Sequence, residues 1–340
     1  MTATVPPRPA TVPDDAPFRP AWWLGNPHLS TVWGKFFRTP PALPVRIERW
    51  ATPDGDAVHL ARTDAAPGAP TFLLLHGLEG SVRSHYLLGT LQEAARRGWQ
   101  ANALLFRSCH GELNAATRSY HSGETGDLDH VVRRLLDERP DAPLVLAGVS
   151  LGGNVLLKWL GEQGSAVRGH VVAATAVSTP FDLARSCAHI DAGPARVYAR
   201  NFLRSLRAKA LRKIAQHPGL ADADAVRDAR TLWAFDDAYT AVVHGFADAA
   251  DYYARSSSLP FLPAIRVPTL LLSARDDPFH PPSVLDDVAA VARHNPALTL
   301  EFPARGGHVG FVEGPHPWAA RAYAERRVVA FGAARLAERD

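Results

Sequence analysis

Short apolar segments alternate with stretches of helical periodicity from Thr71 onward, and this alternation constrains the fold more than any other feature. Runs such as Leu144–Val149 and Val171–Val177 are apolar throughout, as expected of strands that are buried on both faces. We therefore predict an α/β fold with a mostly parallel central sheet flanked by helices. The predicted strands are Thr71–Leu75, Gln100–Phe106, Leu144–Val149, Val171–Val177, Thr269–Leu272 and Leu298–Phe302.

The N-terminal part of the chain has a different character. Residues 6–20 contain six prolines, which predicts an extended or disordered arm, and Trp22 and Trp23 begin an aromatic segment that we expect to dock on the body. Val45–Ala51 and Ala57–Ala61 flank a Pro-Asp-Gly-Asp turn, a pattern typical of a β-hairpin.

A long segment without a clear strand interrupts the alternation between Thr179 and Ile265. It contains helical stretches such as Pro194–Ala215. In open α/β sheets, ligands bind beyond the carboxyl ends of the strands, so we interpret this segment as a helical cap over that edge. The predicted organisation is an arm at residues 1–25, a core at 26–178 and 266–340, and a cap insertion at 179–265.

The pentapeptide Gly148–Gly152 has the form G-x-S-x-G, with Ser150 at its centre. A predicted strand precedes it and a predicted helix follows, which is the context that a nucleophilic serine requires. Glycines permit the sharp turn, and the helix N-terminus favours developing negative charge. The alternative, a serine that caps an ordinary strand-to-helix turn, does not account for both glycines.

A serine nucleophile needs a base, and the base needs an acid that holds its tautomer. Asp276 and Asp277 follow one predicted strand, and His308 lies in a glycine-rich loop after the next. All three sites therefore fall on one edge of the sheet. Neighbouring residues that leave a strand point in opposite directions, so only one aspartate can face His308. We choose Asp277, because Pro281 follows it by four residues, and expect Asp276 to face outward and pair with a surface cation such as Arg275.

An oxyanion hole requires two backbone N–H donors. The residue after the nucleophile, Leu151, supplies one of them. The second is expected in the loop after the first parallel strand, where we favour Leu78, with Glu79 as the alternative.

Further motifs occur in a fixed order along the chain. They are Asn26-Pro27-His28-Leu29, His76-Gly77-Leu78-Glu79-Gly80, Arg107-Ser108-Cys109-His110-Gly111-Glu112, Tyr120-His121-Ser122-Gly123-Glu124, Asp276-Asp277-Pro278-Phe279 and Gly307-His308-Val309-Gly310.

With these motifs, the chain resembles the YheT-like α/β-hydrolases from about Asn26 to its C-terminus. The resemblance implies the α/β-hydrolase fold and hydrolysis of carboxylic esters of short- to medium-chain acyl groups, and some relatives transfer acyl groups to alcohols. Two residues depart from the family pattern: Ser108 stands where glycine is usual, and His110 stands where a small residue is more common.

Composition excludes several classes of protein. The 340 residues are 46% hydrophobic, enough for a large core, and no apolar run is long enough to predict a transmembrane span or a secretory signal. The net charge is only +3 and the basic residues are dispersed, which argues against a nucleic-acid partner. Two cysteines fit a reducing cytoplasm. The sequence contains no H-E-x-x-H or C-x-x-C pattern, so we predict neither a metal nor a cofactor.

Three functions agree with these residues. The first is a serine esterase that acts on a small-molecule acyl ester, and the second is an acyltransferase that uses the same triad. The third is a catalytically inactive binding module, against which the intact triad residues argue. In the loop Arg107–Thr125 we favour a hydrogen-bonded clasp of Arg107, His121 and Glu124 that shapes the pocket wall, with direct contact to the substrate as the alternative. We expect Cys109 to be a small buried residue.

Overall fold

The computed structural model describes residues 16–339, so residues 1–15 of the predicted arm lie outside it. Its main sheet contains eight strands: β1 (Arg46–Ala51), β2 (Ala57–Arg62), β3 (Thr71–Leu75), β4 (Gln100–Leu105), β5 (Leu144–Val149), β6 (Val171–Val177), β7 (Thr269–Leu272) and β8 (Leu298–Glu301). The strand order is β1-β2-β4-β3-β5-β6-β7-β8. Strands β3 to β8 are parallel, and β1 and β2 form the antiparallel hairpin at one edge.

Helices cover both faces of this sheet. The body helices are α1 (Pro27–Phe37), α2 (Leu87–Arg96), α3 (Gly126–Glu138), α4 (Leu151–Gln163), α11 (Pro282–Ala292) and α12 (Tyr323–Ala337). Side chains of β3 alternate between two buried clusters, with Leu73 and Leu75 in one and Phe72 and Leu74 in the other. Helices α3, α4 and α11 contribute to the first cluster, and α2 and α12 to the second. The period-two alternation of a strand thus supplies two separate cores.

The last helix begins later than its sequence pattern suggests. The sequence pattern over Trp318–Leu336 is typical of a single helix and predicts one there, but α12 starts at Tyr323. Before it, Pro317–Ala319 forms a 3-10 turn, and a two-stranded ribbon pairs β9 (Val312–Glu313) with β10 (Arg321–Ala322). Within residues 16–339, no helix combines the length and apolar character needed to cross a bilayer.

The described end of the N-terminal arm lies against the body, as the aromatic segment suggested. The Ala21 N–H donates to the Val312 carbonyl, and the Phe18 ring contacts Phe311 at a centroid distance of 5.6 Å. Trp22, in contrast, is 79% exposed. Asn26 then caps α1 by accepting hydrogen bonds from two backbone N–H groups of its first turn.

The segment between β6 and β7, all of it within the described residues, consists of helices joined by short turns and contains no strand. It contains α5 (Leu183–Ile190), α6 (Arg196–Gln216), α7 (Ala223–Asp228), α8 (Leu232–Phe235), a π-helical turn (Asp236–Ala241), α9 (Val242–His244) and α10 (Ala249–Ser256). Helix α6 reaches the loops that follow β3 and β4, since Lys209 pairs with Glu79 and Lys213 donates to Asn114. The segment therefore covers the carboxyl edge of the sheet. A final 3-10 turn, Leu259–Ala264, packs against α4 and α11.

Candidate active site

The turn between β5 and α4 holds Ser150 in a backbone conformation that side-chain-bearing residues rarely adopt, with φ 54° and ψ −120°. A side chain at Gly148 would meet the Gly152 carbonyl oxygen at 2.3 Å, and one at Gly152 would meet the Leu75 carbonyl oxygen at 2.5 Å. The glycines are therefore required by close backbone approach. The turn presents the Ser150 hydroxyl at the edge of the sheet and at the start of a helix.

Three side chains from separate loops form one hydrogen-bonded chain. His308 Nε2 lies 3.0 Å from Ser150 Oγ, and His308 Nδ1 lies 2.8 Å from Asp277 Oδ2. These contacts fit the tautomer with the proton on Nδ1, in which Nε2 can accept the serine proton. The structure thus brings together the three residues predicted from the sequence.

Asp277 is almost fully enclosed, with 3% of its surface exposed. Burial opposes its ionisation, but the neighbouring His308 and His280 outweigh this effect and hold the pKa of Asp277 well below its usual range. Its second oxygen, Oδ1, accepts the Phe279 backbone N–H at 2.8 Å. The Phe279 ring stacks on the His308 imidazole, with centroids 3.8 Å apart and planes 11° from parallel. The stacked Phe279 ring and the buried Asp277 carboxylate therefore hold the His308 imidazole in place.

Asp276 does not have the surface role that we predicted. Its Oδ1 accepts the Gly307 N–H at 2.9 Å, and it is half-buried. Arg275 pairs instead with Asp286. Burial raises the pKa of Asp276. The two neighbouring aspartates do face different groups, but both serve the histidine loop: Asp277 contacts the ring and Asp276 the backbone before it.

Helix α1 supports the same loop from outside the sheet. The Thr31 hydroxyl accepts the His308 N–H at 2.9 Å, while Ser178 Oγ accepts the Val309 N–H at 3.0 Å. Gly307 has φ 62°, and a side chain there would meet the Pro27 carbonyl oxygen at 2.6 Å. The segment from Asn26 to Thr31 therefore positions the histidine loop.

The two residues chosen for the oxyanion hole, Leu78 and Leu151, line the same cavity as Ser150. Within the described part of the chain, no hydrogen-bond acceptor is found for the backbone N–H of either residue. The alternative donor, Glu79 N–H, is already engaged with the Tyr120 hydroxyl at 2.9 Å. This pattern supports the choice of Leu78 over Glu79.

Glu79 links the loop after β3 to helix α6. Its backbone has φ 56°, and its carboxylate accepts hydrogen bonds from Tyr120 and from Lys209 of α6, each at 2.9 Å. Lys209 lies near Cys109 Sγ as well, at 3.7 Å. Burial raises the pKa of Cys109 to about 11, so this thiol stays protonated and agrees with the predicted role of a buried small residue.

A largely apolar cavity, part of it open to solvent, connects Ser150 to the helical segment between β6 and β7. Its cap wall consists mainly of large apolar or aromatic side chains, among them Phe202, Leu206, Phe235 and Tyr239. Asp236 also lines it, and its carboxylate accepts hydrogen bonds from Thr240 and Tyr253. Such a cavity suits a hydrocarbon group next to a reacting carbonyl.

The loop after β4 is organised differently from our prediction. Arg107 is buried and pairs with Asp127 at 2.7 Å and Asp56 at 2.8 Å, rather than forming a clasp with His121 and Glu124. Glu124 instead pairs with Arg118 at 2.8 Å, and His121 Nε2 is 3.9 Å from Glu124. Asp127 and Asp56, the acidic partners of Arg107, lie far from it in sequence, so the sequence of the loop by itself does not indicate them.

The two departures from the family pattern lie in this loop as well. Ser108 has φ 63°, a conformation that glycine adopts without strain, and its Oγ donates to Asn114 Oδ1 at 2.8 Å. The local hydrogen bond offsets part of the strain at this non-glycine residue. The His110 ring stacks on His59 of β2, with centroids 3.4 Å apart.

Sequence reasoning missed several residues of the site: Thr31, Ser178, Lys209 and His280. Three of these lie on elements remote from the triad motifs, and no local pattern indicates their contacts. His280 alone carried a signal, since it follows Asp277 by three residues in the same loop.

The comparisons with known proteins agree with this geometry. Residues 70–315 match the family described as alpha/beta hydrolase fold, and this chain therefore belongs to the α/β-hydrolase family. The predicted resemblance within that family is confirmed. The chain is 39% identical over 309 residues to the Escherichia coli (strain K12) protein named "Putative esterase YheT", and the match covers 89% of each chain.

Other relatives carry the names of ester-cleaving enzymes. The chain is 30% identical to phospholipase ABHD3 of Mus musculus, covering 88% of this chain and 74% of that protein. It is 30% identical to a monoacylglycerol lipase of Saccharomyces cerevisiae, covering 71% and 55%. The solved esterase Pf2001 of Pyrococcus furiosus superposes with a TM-score of 0.53 over 79% of this chain and 85% of that one, at 17% identity. That likeness concerns the fold, whereas the sequence relatives indicate an esterase- or lipase-type hydrolase.

Proposed function

We propose that this protein is a serine hydrolase that cleaves carboxylic esters of short- to medium-chain acyl groups through an acyl-enzyme. In this proposal Ser150 is the nucleophile, His308 the general base and Asp277 the orienting acid. The observation that carries it is the hydrogen-bonded chain from Ser150 through His308 to Asp277 at one end of an apolar cavity.

The geometry supports a two-step reaction. Ser150 Oγ attacks the ester carbonyl carbon while His308 Nε2 takes its proton, and the N–H groups of Leu78 and Leu151 donate to the resulting oxyanion. The imidazolium then protonates the leaving alcohol, so that the acyl group remains on Ser150. A water molecule, deprotonated by the same nitrogen, then attacks the acyl carbon. The bond between this carbon and Ser150 Oγ breaks, Oγ takes the proton back from His308, and the acid is released. Asp277 stays ionised throughout and stabilises the imidazolium.

We further propose that residues 179–265 act as a cap that determines acyl-chain preference. Most of the large side chains on the far wall of the cavity come from this segment, including Phe202, Leu206 and Phe235. Each methylene group buried there contributes about 0.8 kcal/mol, so the depth of the apolar wall translates into chain-length selectivity.

Reaction with a fluorophosphonate probe tests the nucleophile, and a panel of p-nitrophenyl esters from acetyl to palmitoyl tests the substrate class. We expect stoichiometric labelling at Ser150, located by peptide mass spectrometry, and the highest kcat/KM among the short and medium chains. Labelling without hydrolysis of any ester would contradict the substrate class while leaving the nucleophile intact. Absence of labelling in a folded protein would contradict the proposed function itself.

A further inference from the structure

A second imidazole lies on the same carboxylate as His308. His280 belongs to the loop that carries Asp277, and only 1% of its surface is exposed. Its Nε2 is 3.4 Å from Asp277 Oδ2, and neither of its ring nitrogens has a hydrogen-bond partner within residues 16–339. A fully buried imidazole without hydrogen bonds is unfavourable unless a nearby charge compensates it.

The two imidazoles converge on one oxygen atom. Asp277 Oδ2 contacts His308 Nδ1 at 2.8 Å and His280 Nε2 at 3.4 Å, whereas Oδ1 accepts only the Phe279 N–H. No lysine or arginine among the described residues forms an ion pair with Asp277. The negative charge that stabilises a protonated His308 is therefore shared with His280.

Several other titratable groups surround these residues: His189 and Tyr198 from the cap, Asp276 next to Asp277, and His85, which is close enough to act electrostatically on His308. His189 of α5 is close enough to act electrostatically on His280, and Tyr198 of α6 is close enough to Asp277. Burial lowers the pKa of His189, which favours its neutral form. Among residues 16–339, Asp277 is the charged group that acts on His280.

We propose that His280 is a positioning residue that withholds part of the Asp277 charge from His308 and so sets how basic His308 is. This inference rests on the proposed function, because it assigns His308 the role of base. An imidazole 3.4 Å from Oδ2, through its dipole when neutral or its charge when protonated, weakens the field that Asp277 exerts on the opposite ring.

The sign of the effect follows from this arrangement. Burial lowers the pKa of His280, but the adjacent Asp277 carboxylate outweighs it, so the pKa lies above its ordinary value and favours the positively charged form. Removing His280 leaves the whole Asp277 charge to His308, which then binds its proton more tightly. The deprotonated, reactive form of His308 would accordingly appear at higher pH.

The test measures the rate constant of fluorophosphonate labelling as a function of pH, a readout that does not depend on the ester chosen. Two apolar replacements, His280→Leu and His280→Phe, are compared with the wild type, so that a folding failure of one leaves the other. We expect the midpoint of the rising limb to move upward by about half a pH unit or more. Labelling below that midpoint should slow about threefold or more.

Two further variants separate positioning from packing. His280→Gln keeps an N–H donor near Asp277 Oδ2 and should return the midpoint part of the way to the wild-type value. His59→Gln removes an imidazole of β2 whose charged neighbours do not include Asp277, His280 or His308, and it should leave the midpoint unchanged. Thermal unfolding verifies that each variant is folded.

A folded apolar variant with an unshifted midpoint would overturn the inference, whatever its overall rate. That result would contradict only the role of His280, since labelling of the wild type would still support Ser150 as the nucleophile and His308 as the base. Conversely, a shifted midpoint in a protein that hydrolyses no ester would support the inference and contradict only the proposed substrate class.

Discussion

The loops at the carboxyl edge of the sheet and the helices that cover them differ in backbone conformation. Six non-glycine residues of the described chain have positive φ, and all six lie in loops that follow sheet strands. The cap helices contain none. Strained backbone persists where surrounding contacts force it, and such positions cluster at functional sites. The six residues are Glu79, Ser108, Ser150, Ser178, Val309 and Phe311.

The cap contributes side chains on regular helices instead. Its links to the strained loops are both polar and aromatic: Lys209 pairs with Glu79, the Tyr252 hydroxyl accepts the Ser122 N–H, and the His121 ring lies against Phe246. Its remaining contribution to the cavity is mainly apolar. From this contrast we expect a division of roles, in which the loops determine the reaction rate and the cap determines which acyl-chain length is preferred. The following predictions test that division, from the largest expected effect to the smallest.

Ser150→Ala removes the proposed nucleophile from its strained turn. We expect the kcat of p-nitrophenyl ester hydrolysis to fall by about 10⁴-fold or more and fluorophosphonate labelling to disappear, as is usual for loss of a nucleophilic serine. Thermal unfolding should show a protein at least as stable as the wild type. Residual activity above about a hundredth of wild type would place the nucleophile elsewhere.

Asp277→Asn and Asp276→Asn form a matched isosteric pair. The first should lower kcat by about 10²- to 10⁴-fold, because an amide favours the wrong His308 tautomer. The second should cost less than about tenfold, since an amide oxygen can still accept the Gly307 N–H. Steady-state kinetics decides between them, and reversed penalties would identify Asp276 as the triad acid.

Thr31→Val removes the hydroxyl that accepts the His308 N–H. The lost hydrogen bond is worth about 1 kcal/mol, so we expect kcat to fall severalfold with little change in KM. Thr90→Val is the control. The Thr31 and Thr90 hydroxyls each donate to the backbone carbonyl four residues earlier, but Thr90 lies in α2, away from His308. Equal kinetic effects of both substitutions would refute a specific role for α1 in positioning the loop.

Leu206→Ala enlarges the cavity from the cap side, whereas Leu211→Ala shortens a leucine of the same helix that packs within the cap and does not line the cavity. The first should move the preferred acyl chain toward longer esters, by about fourfold in relative kcat/KM for each added methylene group that gains contact. The second should change stability alone. The ester panel measures this difference, and identical selectivity in both variants would argue for a purely structural cap.

Asp236→Asn tests the cap without touching the triad. Burial raises the pKa of Asp236 to about 6. The protonated carboxyl therefore contributes to the stability of the folded state, fully below about pH 4, and this contribution is lost as pH rises through about 6. The variant should therefore gain stability relative to wild type at pH 8 compared with pH 4, on the order of 1 kcal/mol or more. Urea unfolding at both pH values measures this gain. The exposed Asp228→Asn should show no such difference.

Local patterns were sufficient for much of the architecture. The bounds of β3, β5, β6 and β7 agree with the predicted strands, because apolar runs bounded by polar residues mark buried parallel strands directly. The hairpin and the helical segment between β6 and β7 were predicted on equally local grounds. Adjacent side chains at a strand end diverge, so only one aspartate could face His308, and Asp277 could be preferred because Pro281 follows it by four residues.

Other features depended on contacts that sequence does not encode locally. The Trp318–Leu336 pattern concealed a turn and a ribbon, because β9 needs β10 as its partner. Arg107 looked like part of a clasp within its own loop, yet its acidic partners come from the hairpin turn and from α3. Asp276 seemed a surface residue, since nothing near it in sequence indicates that the Gly307 N–H lies within reach.

The sequence by itself determined which residues follow each strand, and hence that a serine, a carboxylate and a histidine meet at one edge of the sheet. Strand geometry makes this unavoidable, since parallel strands end on the same side. Only the tertiary structure decided how those groups are held: Thr31 behind the His308 backbone, Phe279 on its ring and His280 beside the Asp277 oxygen it shares. These contacts join segments that are folded against each other, and their distances depend on packing that no local pattern specifies.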